Sequence, residues 1–162
     1  MNLTFRTIVV ATDFSPPSEL ALEYARTLAK RFGASLQLIH VLAESYPLGV
    51  EGYVPDVANL RKSLLQNAHQ RLATSLAAMP DDGMTGEVLV GNPARRIIEA
   101  AASKNADLIV MGTHGRGGVA HLLMGSVAER VVRTARCPVL TVRETDASKA
   151  DQRARATAET RA

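Results

Sequence analysis

The sequence predicts an α/β fold, in which helices cover both faces of a mostly parallel five-stranded sheet. Five short apolar runs, most of them rich in β-branched residues, indicate strands. They alternate with stretches whose apolar residues recur every three or four positions, the period of an amphipathic helix. Strands that are apolar almost throughout and alternate with helices are typical of a buried parallel sheet with right-handed crossovers.

Each strand is predicted from its own run of residues. In chain order the strands are expected over Thr7–Asp13, Ser35–Leu42, Gly86–Gly91, Asp107–Gly112 and Pro138–Arg143. Pro138 cannot donate a hydrogen bond to a neighbouring strand, which is typical of the first residue of an edge strand. We therefore expect the last strand to lie at an edge of the sheet.

Four helices are expected between these strands. Ser15 followed by Pro16, and Asn92 followed by Pro93, are patterns of a helix N-cap and first turn, and they start the first and third helices. The second and longest helix is expected from about Asp56 to Met79. The apolar faces of the other helices consist of Ala21, Ala25, Leu28, Ala29 and Phe32 in the first, Ala94, Ile97, Ile98 and Ala101 in the third, and Ala128, Val131, Val132 and Ala135 in the fourth.

Composition narrows the class of protein. The 162 residues, 46% hydrophobic and 22% charged, suffice for one domain with a core. A net charge of +3 with only 4% aromatic residues does not indicate nucleic-acid binding. The chain has no apolar run long enough to span a membrane, and its first residues lack the pattern of a secretion signal. We therefore expect a cytoplasmic protein that binds neither nucleic acid nor membrane.

The single cysteine and the last nineteen residues add little chemistry. Cys137 excludes a disulfide framework within the chain and is expected to be a small buried hydrophobic residue. Residues 144–162 contain no apolar residue larger than alanine and carry equal numbers of acidic and basic side chains. The sequence thus divides into a domain over residues 1–143 and a polar, disordered tail over 144–162.

The residues with the strongest functional signal are GTHGRGGVAHLLMGSVAERV, which begin at Gly112 and hold five glycines in their first fourteen positions. A glycine-rich loop between a strand and a helix lets backbone N–H groups approach an anion, phosphate above all. The P-loop pattern is absent because no Gly-Lys pair occurs. Gly115, Gly117 and Ala120 match the dinucleotide fingerprint, but that fingerprint belongs in the first strand-to-helix turn, which here reads TDFSPPS.

A different spacing does match a known pattern. Gly112, Gly115 and the pair Gly125–Ser126 follow Gly-x2-Gly-x9-Gly-Ser. In this the chain resembles the universal stress protein family, whose nucleotide-binding members carry the pattern between the fourth strand and the last helix. The stretches IVVATDFS, DLIVMGTHGR and GSVAERVVRTARCPVLTVR extend the resemblance over about residues 4 to 143.

The resemblance implies a Rossmann-like three-layer sandwich with strand order 3-2-1-4-5. It also implies that ATP, or else ADP or AMP, lies across the carboxyl ends of strands one and four, where doubly wound sheets bind ligands. The carboxylate of Asp13 would lie near the ribose or a Mg²⁺ ion. The other implied contacts are Ala11 and Thr12 with the adenosine, Val41 with the adenine edge, Met111 and Gly112 with the ribose, and Gly115, Arg116, Gly125, Ser126 and Val127 with the phosphates. A homodimer that pairs the strands Pro138–Arg143 of two subunits antiparallel is implied as well.

Several of these residues have a purely structural alternative. Ser126 and Glu129 form the S-x-x-E pattern of a capping box, and Asp13 could simply orient the turn that follows it. Gly117 and Gly118 could be spacers. His114 and His121 do not have the spacing of a convincing metal pair, and His40, inside an apolar strand, is expected to be a core residue with a satisfied hydrogen bond.

Three functions are compatible with the sequence. The first is a nucleotide-binding stress or signalling protein, favoured because no nucleophile with a paired base and no lysine in the glycine-rich loop are evident. The second is a slow ATPase or nucleotidyl-transfer enzyme on the same fold. The third is an adaptor whose glycines only shape the turn.

The loop Ala43–Pro55 is expected to be a lid or a contact surface.

Overall fold

A computed structural model describes residues 4–44, 57–80, 83–113 and 125–143. Strands and helices alternate along these residues, which confirms the predicted fold class. The elements are β1 Thr7–Thr12, α1 Pro16–Phe32, β2 Ser35–Leu42, α2 Val57–Ala77, β3 Thr85–Val90, α3 Pro93–Ser103, β4 Leu108–Gly112, α4 Ser126–Thr134 and β5 Val139–Val142. Each strand lies within one residue of its predicted bounds. The loop expected to be a lid, beyond Glu44, and the tail from residue 144 lie outside the described residues.

The five strands form one parallel sheet with the order β3-β2-β1-β4-β5. This confirms the order implied by the family resemblance and places β5 at an edge. Ala11 of β1 is aligned with Ile39 of β2 and with Met111 of β4. The strand order reverses between β1 and β4, so the carboxyl ends of these two strands are where a doubly wound sheet offers a crevice.

The sheet separates two hydrophobic cores because successive side chains of a strand point to opposite faces. On one face Ile8 and Val10 of β1 pack with residues of α1 and with Leu72 of α2. On the other face Val9 and Ala11 of the same strand pack with residues of α3 and α4. Full burial of each large aliphatic side chain contributes about 1.5–3 kcal/mol. These core contacts show that α1 and α2 cover one face of the sheet, and that α3 and α4 cover the other.

The helix ends follow the predicted chemistry in two cases. Asn92 is the N-cap of α3, and its side-chain oxygen accepts a hydrogen bond from the Arg95 N–H at 3.1 Å. Ser15 is the N-cap residue of α1, although here the Ser15 N–H donates to the Ser18 hydroxyl at 3.0 Å. Gly33 ends α1 in the left-handed conformation, with φ of 66°.

The apolar face predicted for α4 was wrong in one member. Ala128 and Val131 are buried, and Ala135, just past the helix end, packs on the same core. Val132 is instead 44% exposed. It follows Val131 by about 100° around the helix axis, which turns it away from the core.

At the amino-terminal edge of the sheet, Asp107 connects β1 with β4. Its carboxylate accepts hydrogen bonds from the backbone N–H groups of Arg6 at 2.7 Å and Thr7 at 3.0 Å. These two bonds hold the pKa of Asp107 below its ordinary value. Asp107 thus fixes the start of β1 against β4, far from the strand ends where a ligand is expected.

Cys137 packs against the core that α3 and α4 share, as the sequence predicts, but it is half-buried rather than buried. Its pKa is raised, mainly by burial, which disfavours the reactive thiolate.

In the four described ranges, no helix combines the length and apolar character needed to cross a membrane.

Candidate functional site

The predicted site residues of the strands meet at the carboxyl end of the sheet. Ala11 and Met111 are aligned neighbours on β1 and β4, and both are buried. Val41, near the end of β2, and Val127, in the first turn of α4, are half-buried and pack against the same core. Four of the predicted contacts therefore lie on one face of the sheet, beside the point where the strand order reverses.

A backbone hydrogen bond joins the two ends of the glycine-rich segment, and a second one ties its first end to β5. The Gly125 N–H donates to the Thr113 carbonyl at 2.7 Å, and the Thr113 N–H donates to the Val142 carbonyl at 2.9 Å. These bonds place the start of α4 directly beside the end of β4. Gly112, Gly125 and Ser126 are thereby brought together, whereas Gly115 and Arg116, like Gly117, Gly118, His114 and His121, lie outside the described residues.

Helix α4 begins without a side-chain cap. Gly125 is the N-cap residue, in an extended conformation with φ −71° and ψ 153°, and Ser126 is the first helical residue. Within the described part of the chain no side-chain hydrogen bond caps this helix, and Glu129 instead pairs with Arg133 at 3.4 Å. The capping box suggested by Ser126 and Glu129 is therefore wrong, because the helix starts one residue earlier than that motif requires. The first N–H groups of a helix have no partner within it and can receive an anion.

Asp13 shapes the turn after β1, the structural role that the sequence left open. One oxygen of its half-buried carboxylate accepts a hydrogen bond from the Ser15 N–H at 3.1 Å and another from the Ser15 hydroxyl. These bonds hold the carboxylate at the carboxyl end of β1, the strand next to β4. This structural role is compatible with nucleotide binding, because it leaves the Asp13 carboxylate at the carboxyl end of β1, where the sequence predicts the ligand.

Thr12 lies at the carboxyl end of β1, and its side chain is on the α1 side of the sheet. Its buried hydroxyl lies 3.1 Å from the Ser18 hydroxyl and accepts a hydrogen bond from the Phe14 N–H at 2.9 Å. These partners belong to the α1 side of the sheet, opposite Ala11. Successive residues of a strand point to opposite faces, so the Thr12 side chain lies on the face opposite Ala11 and Met111. Its hydrogen bonds there support the turn after β1.

Gly112 has a packing role that the sequence did not suggest. A Cβ atom built on Gly112 would lie 3.1 Å from the backbone carbonyl carbon of Pro17, at the start of α1. The bare Cα therefore lets the first turn of α1 approach the end of β4 closely. One of the three pattern glycines is thus explained in part by helix packing rather than by a ligand.

A cavity of about 580 Å³ lies between the start of α3 and helix α4, along which it extends to Thr134. Asn92 and Pro93 line it from α3, and Ser126, Val127 and Arg130 line it from α4. Asp13, Val41 and Met111 do not line it. The cavity therefore shares only Ser126 and Val127 with the predicted site, and its charged lining consists of Glu129, Arg130 and Arg133.

Sequence reasoning missed two residues beside the site. Phe14, which follows Asp13, has φ of 60°, a left-handed conformation uncommon for a bulky residue, and Arg71 of α2 contacts it. No local sequence signal marks a phenylalanine for this conformation.

His40 behaves as predicted: it is buried, and its Nδ1–H donates to the Thr12 carbonyl at 2.9 Å. Among the residues with described positions, no three His, Cys, Asp or Glu side chains cluster as a metal site would.

Comparison with known proteins gives a family and a set of solved relatives. A model of the universal stress protein family matches residues 4–143. Universal stress protein MJ0531 of Methanocaldococcus jannaschii is 39% identical over 142 residues, which cover 86% of this chain and 83% of the relative.

Two similar solved structures contain adenine nucleotides. A universal stress protein in complex with cAMP is 29% identical, with a TM-score of 0.56, over 86% of this chain and 98% of that one. A universal stress protein from Archaeoglobus fulgidus in complex with dAMP is 26% identical, with a TM-score of 0.58, over 86% of this chain and 99% of that one. The sheet order seen here is that of the family fold.

Proposed function

This chain belongs to the universal stress protein family, and we propose that it is a regulatory protein of the stress-response or signalling type that binds ATP. The observation that carries the proposal is the uncapped start of α4, held beside the end of β4 by the Thr113–Gly125 hydrogen bond. Among the described residues no side chain caps the first N–H groups of α4, and such a helix start with a glycine at the N-cap suits a phosphate. The adenine nucleotides in two solved relatives support the same ligand class.

The proposed ligand runs from β2 to α4. The adenine lies against the end of β2 at Val41, and the ribose lies between β1 and β4, near Asp13 and Met111. The phosphates lie at the first turn of α4, next to Ser126 and Val127. Gly115 and Arg116 complete the phosphate end in this proposal, on the strength of the sequence pattern alone.

We assign Mg²⁺, if the nucleotide carries it, to Asp13. Magnesium in nucleotide sites is held by one or two carboxylates together with phosphate oxygens and water. The Asp13 carboxylate is fixed by Ser15 at the end of β1. When bound, the ion would be held by this carboxylate and would neutralise part of the phosphate charge.

We favour regulation over fast catalysis as the use of the bound nucleotide. In the turn after β1 the Ser15 hydroxyl donates to the Asp13 carboxylate, but Ser15 is buried and this bond fixes the turn. Among the described residues, Arg130 and Arg133 are the cationic groups that line the cavity beside α4. A slow ATPase is the competing function. Single-turnover measurement with labelled ATP separates the two: a rate well above background that disappears in Asp13→Ala would favour the enzyme.

Two variants of Gly125 test the phosphate assignment. Its backbone angles are those that a capping Asn or Asp adopts, so Gly125→Asn and Gly125→Asp should both keep the fold and gain a few tenths of a kcal/mol of stability. The two side chains have nearly the same size but differ in charge. Gly125→Asp should bind ATP about tenfold more weakly than Gly125→Asn, because its carboxylate repels the phosphates at short range.

Calorimetric titration with ATP and thermal unfolding of the three proteins supply both readouts. Adenosine, which has no phosphate, serves as the control ligand, and its affinity should be the same in the two variants. Equal ATP affinities for Gly125→Asp and Gly125→Asn would show that the phosphates do not lie at the start of α4.

A further inference from the structure

The turn between β1 and α1 contains a residue under backbone strain. Phe14 has φ of 60°, in the left-handed region that a bulky side chain rarely adopts. Such a conformation persists only when its surroundings hold it, and it is often found at functional sites. Phe14 directly follows Asp13, the carboxylate proposed above to lie near the ribose and metal.

Arg71, from the middle of α2, holds Phe14 by two contacts. Its guanidinium carbon lies 4.5 Å from the centre of the Phe14 ring, within the range of a cation–π interaction. One of its terminal N–H groups also donates to the Phe14 carbonyl at 3.3 Å. The side chain and the backbone of the strained residue are therefore both fixed by one arginine that is 57 residues away in the chain.

A second aromatic ring supports Phe14 from the sheet. The His40 ring lies 4.5 Å from the Phe14 ring, tilted by 37°. Through its Nδ1–H, His40 also bonds the Thr12 carbonyl, at the start of the same turn. Thr12 in turn accepts the Phe14 N–H. The left-handed conformation is thus defined jointly by β2 and by α2.

We propose that Arg71 is a positioning residue for nucleotide binding: by holding Phe14 in the left-handed conformation, it keeps Asp13 at the end of β1. The inference rests on the proposed function, since Asp13 is placed against the nucleotide there. It adds that α2, which contributes none of the proposed contacts with the nucleotide, sets the affinity of the site. Any movement of α2 relative to the sheet would then be transmitted to Asp13.

The first test compares arginines on the same helix. Arg71→Ala should weaken ATP binding about five- to tenfold, because the strained turn loses its support. Arg71→Lys retains the charge but not the planar group that stacks and donates, so it should also weaken binding. Arg61→Ala, which removes the same charge from α2 together with an exposed 3.8 Å pair with Glu44, should leave the affinity unchanged.

The second test asks whether Arg71 acts through Phe14. Asparagine adopts the left-handed conformation more readily than phenylalanine, so a turn with Phe14→Asn needs less support. Adding Arg71→Ala to Phe14→Asn should therefore change the ATP affinity less than about twofold. An equal loss in both backgrounds would show that Arg71 does not act through the strained residue.

A ligand-free measurement keeps this inference separate from the proposed function. In the nucleotide-free protein, the backbone amide resonances of Asp13 and Ser15 should shift in Arg71→Ala and not in Arg61→Ala. Unchanged resonances, or an ATP affinity equal to that of the native chain, would overturn the inference. If the amides shift but the native chain binds no nucleotide, the proposed function fails, while the support of the turn by Arg71 stands.

Discussion

Individual residues at the two ends of the sheet have different roles. At the amino-terminal end Asp107 stabilises the fold through hydrogen bonds from two backbone N–H groups. At the carboxyl end Asp13 accepts similar bonds, but inside a turn that carries a strained neighbour. One carboxylate therefore fixes the start of β1 against β4, and the other is held where a ligand is expected.

Asp107 predicts a definite pH dependence. Its pKa is lower in the folded chain than in the unfolded one, so its contribution to stability is present above the unfolded pKa, about 4, and is lost as the pH falls through the folded value. Asp107→Asn should lower the free energy of unfolding at pH 7 by about 1 kcal/mol, a modest figure because solvent screens the site.

Chemical denaturation of the native chain and of the Asp107→Asn variant from about pH 7 to about pH 2 checks this. The difference in the free energy of unfolding between the two proteins should shrink below about pH 4. A difference that stays constant over the whole range would show that the charge of Asp107 does not contribute.

At the scale of elements, α1 can lie close to β4 because Gly112, at the end of β4, has no side chain. Pro17 approaches Gly112 so closely that a Cβ on the glycine would lie 3.1 Å from the Pro17 backbone. Gly86 of β3 makes an equally short approach, at 3.0 Å, but to the end of the Leu76 side chain, which can move. The two glycines therefore provide a matched comparison of rigid and adaptable surroundings.

Gly112→Ala should destabilise the fold by about 1–3 kcal/mol, since α1 must shift to admit the methyl group. Gly86→Ala should cost clearly less, because the neighbouring leucines can change rotamer. Thermal unfolding of the two variants measures both effects. Equal losses would mean that the contact with Pro17 does not define the packing of α1.

The sequence predicted elements better than the contacts between them. The strand runs and the Asn92–Pro93 start of α3 follow from local composition, and both are confirmed. The strand order came from the family pattern and is confirmed as well. Three features arise only when distant segments meet, and no local pattern predicts them. They are the approach of Pro17 to Gly112, the conformation of Phe14 and its contact with Arg71.

At the scale of the whole molecule, β5 lies at one edge of the sheet that the described residues form. The Pro138 and Val142 carbonyls accept hydrogen bonds from Ile109 and Thr113, which means that the backbone groups of Val139 and Thr141 point away from β4. Val132, on the neighbouring helix, is exposed. We propose that two copies of the chain pair through β5, as the family resemblance implies.

Thr141→Pro tests this homodimer. Proline removes an outward N–H without breaking a bond to β4, and edge strands tolerate it. The variant should be monomeric at concentrations where the native chain is dimeric, while Thr141→Val, which keeps the N–H, should remain a dimer. Sedimentation velocity distinguishes these outcomes, and a dimeric proline variant would place the interface elsewhere.

The central claim is that the start of α4 and the end of β1 together hold an adenine nucleotide. Its most direct test is calorimetric titration of the nucleotide-stripped chain with ATP, with GTP at the same concentrations as the control for the base. The account predicts saturable binding of one ATP per chain, and weaker binding of GTP. No saturable binding of ATP at millimolar concentrations would contradict it.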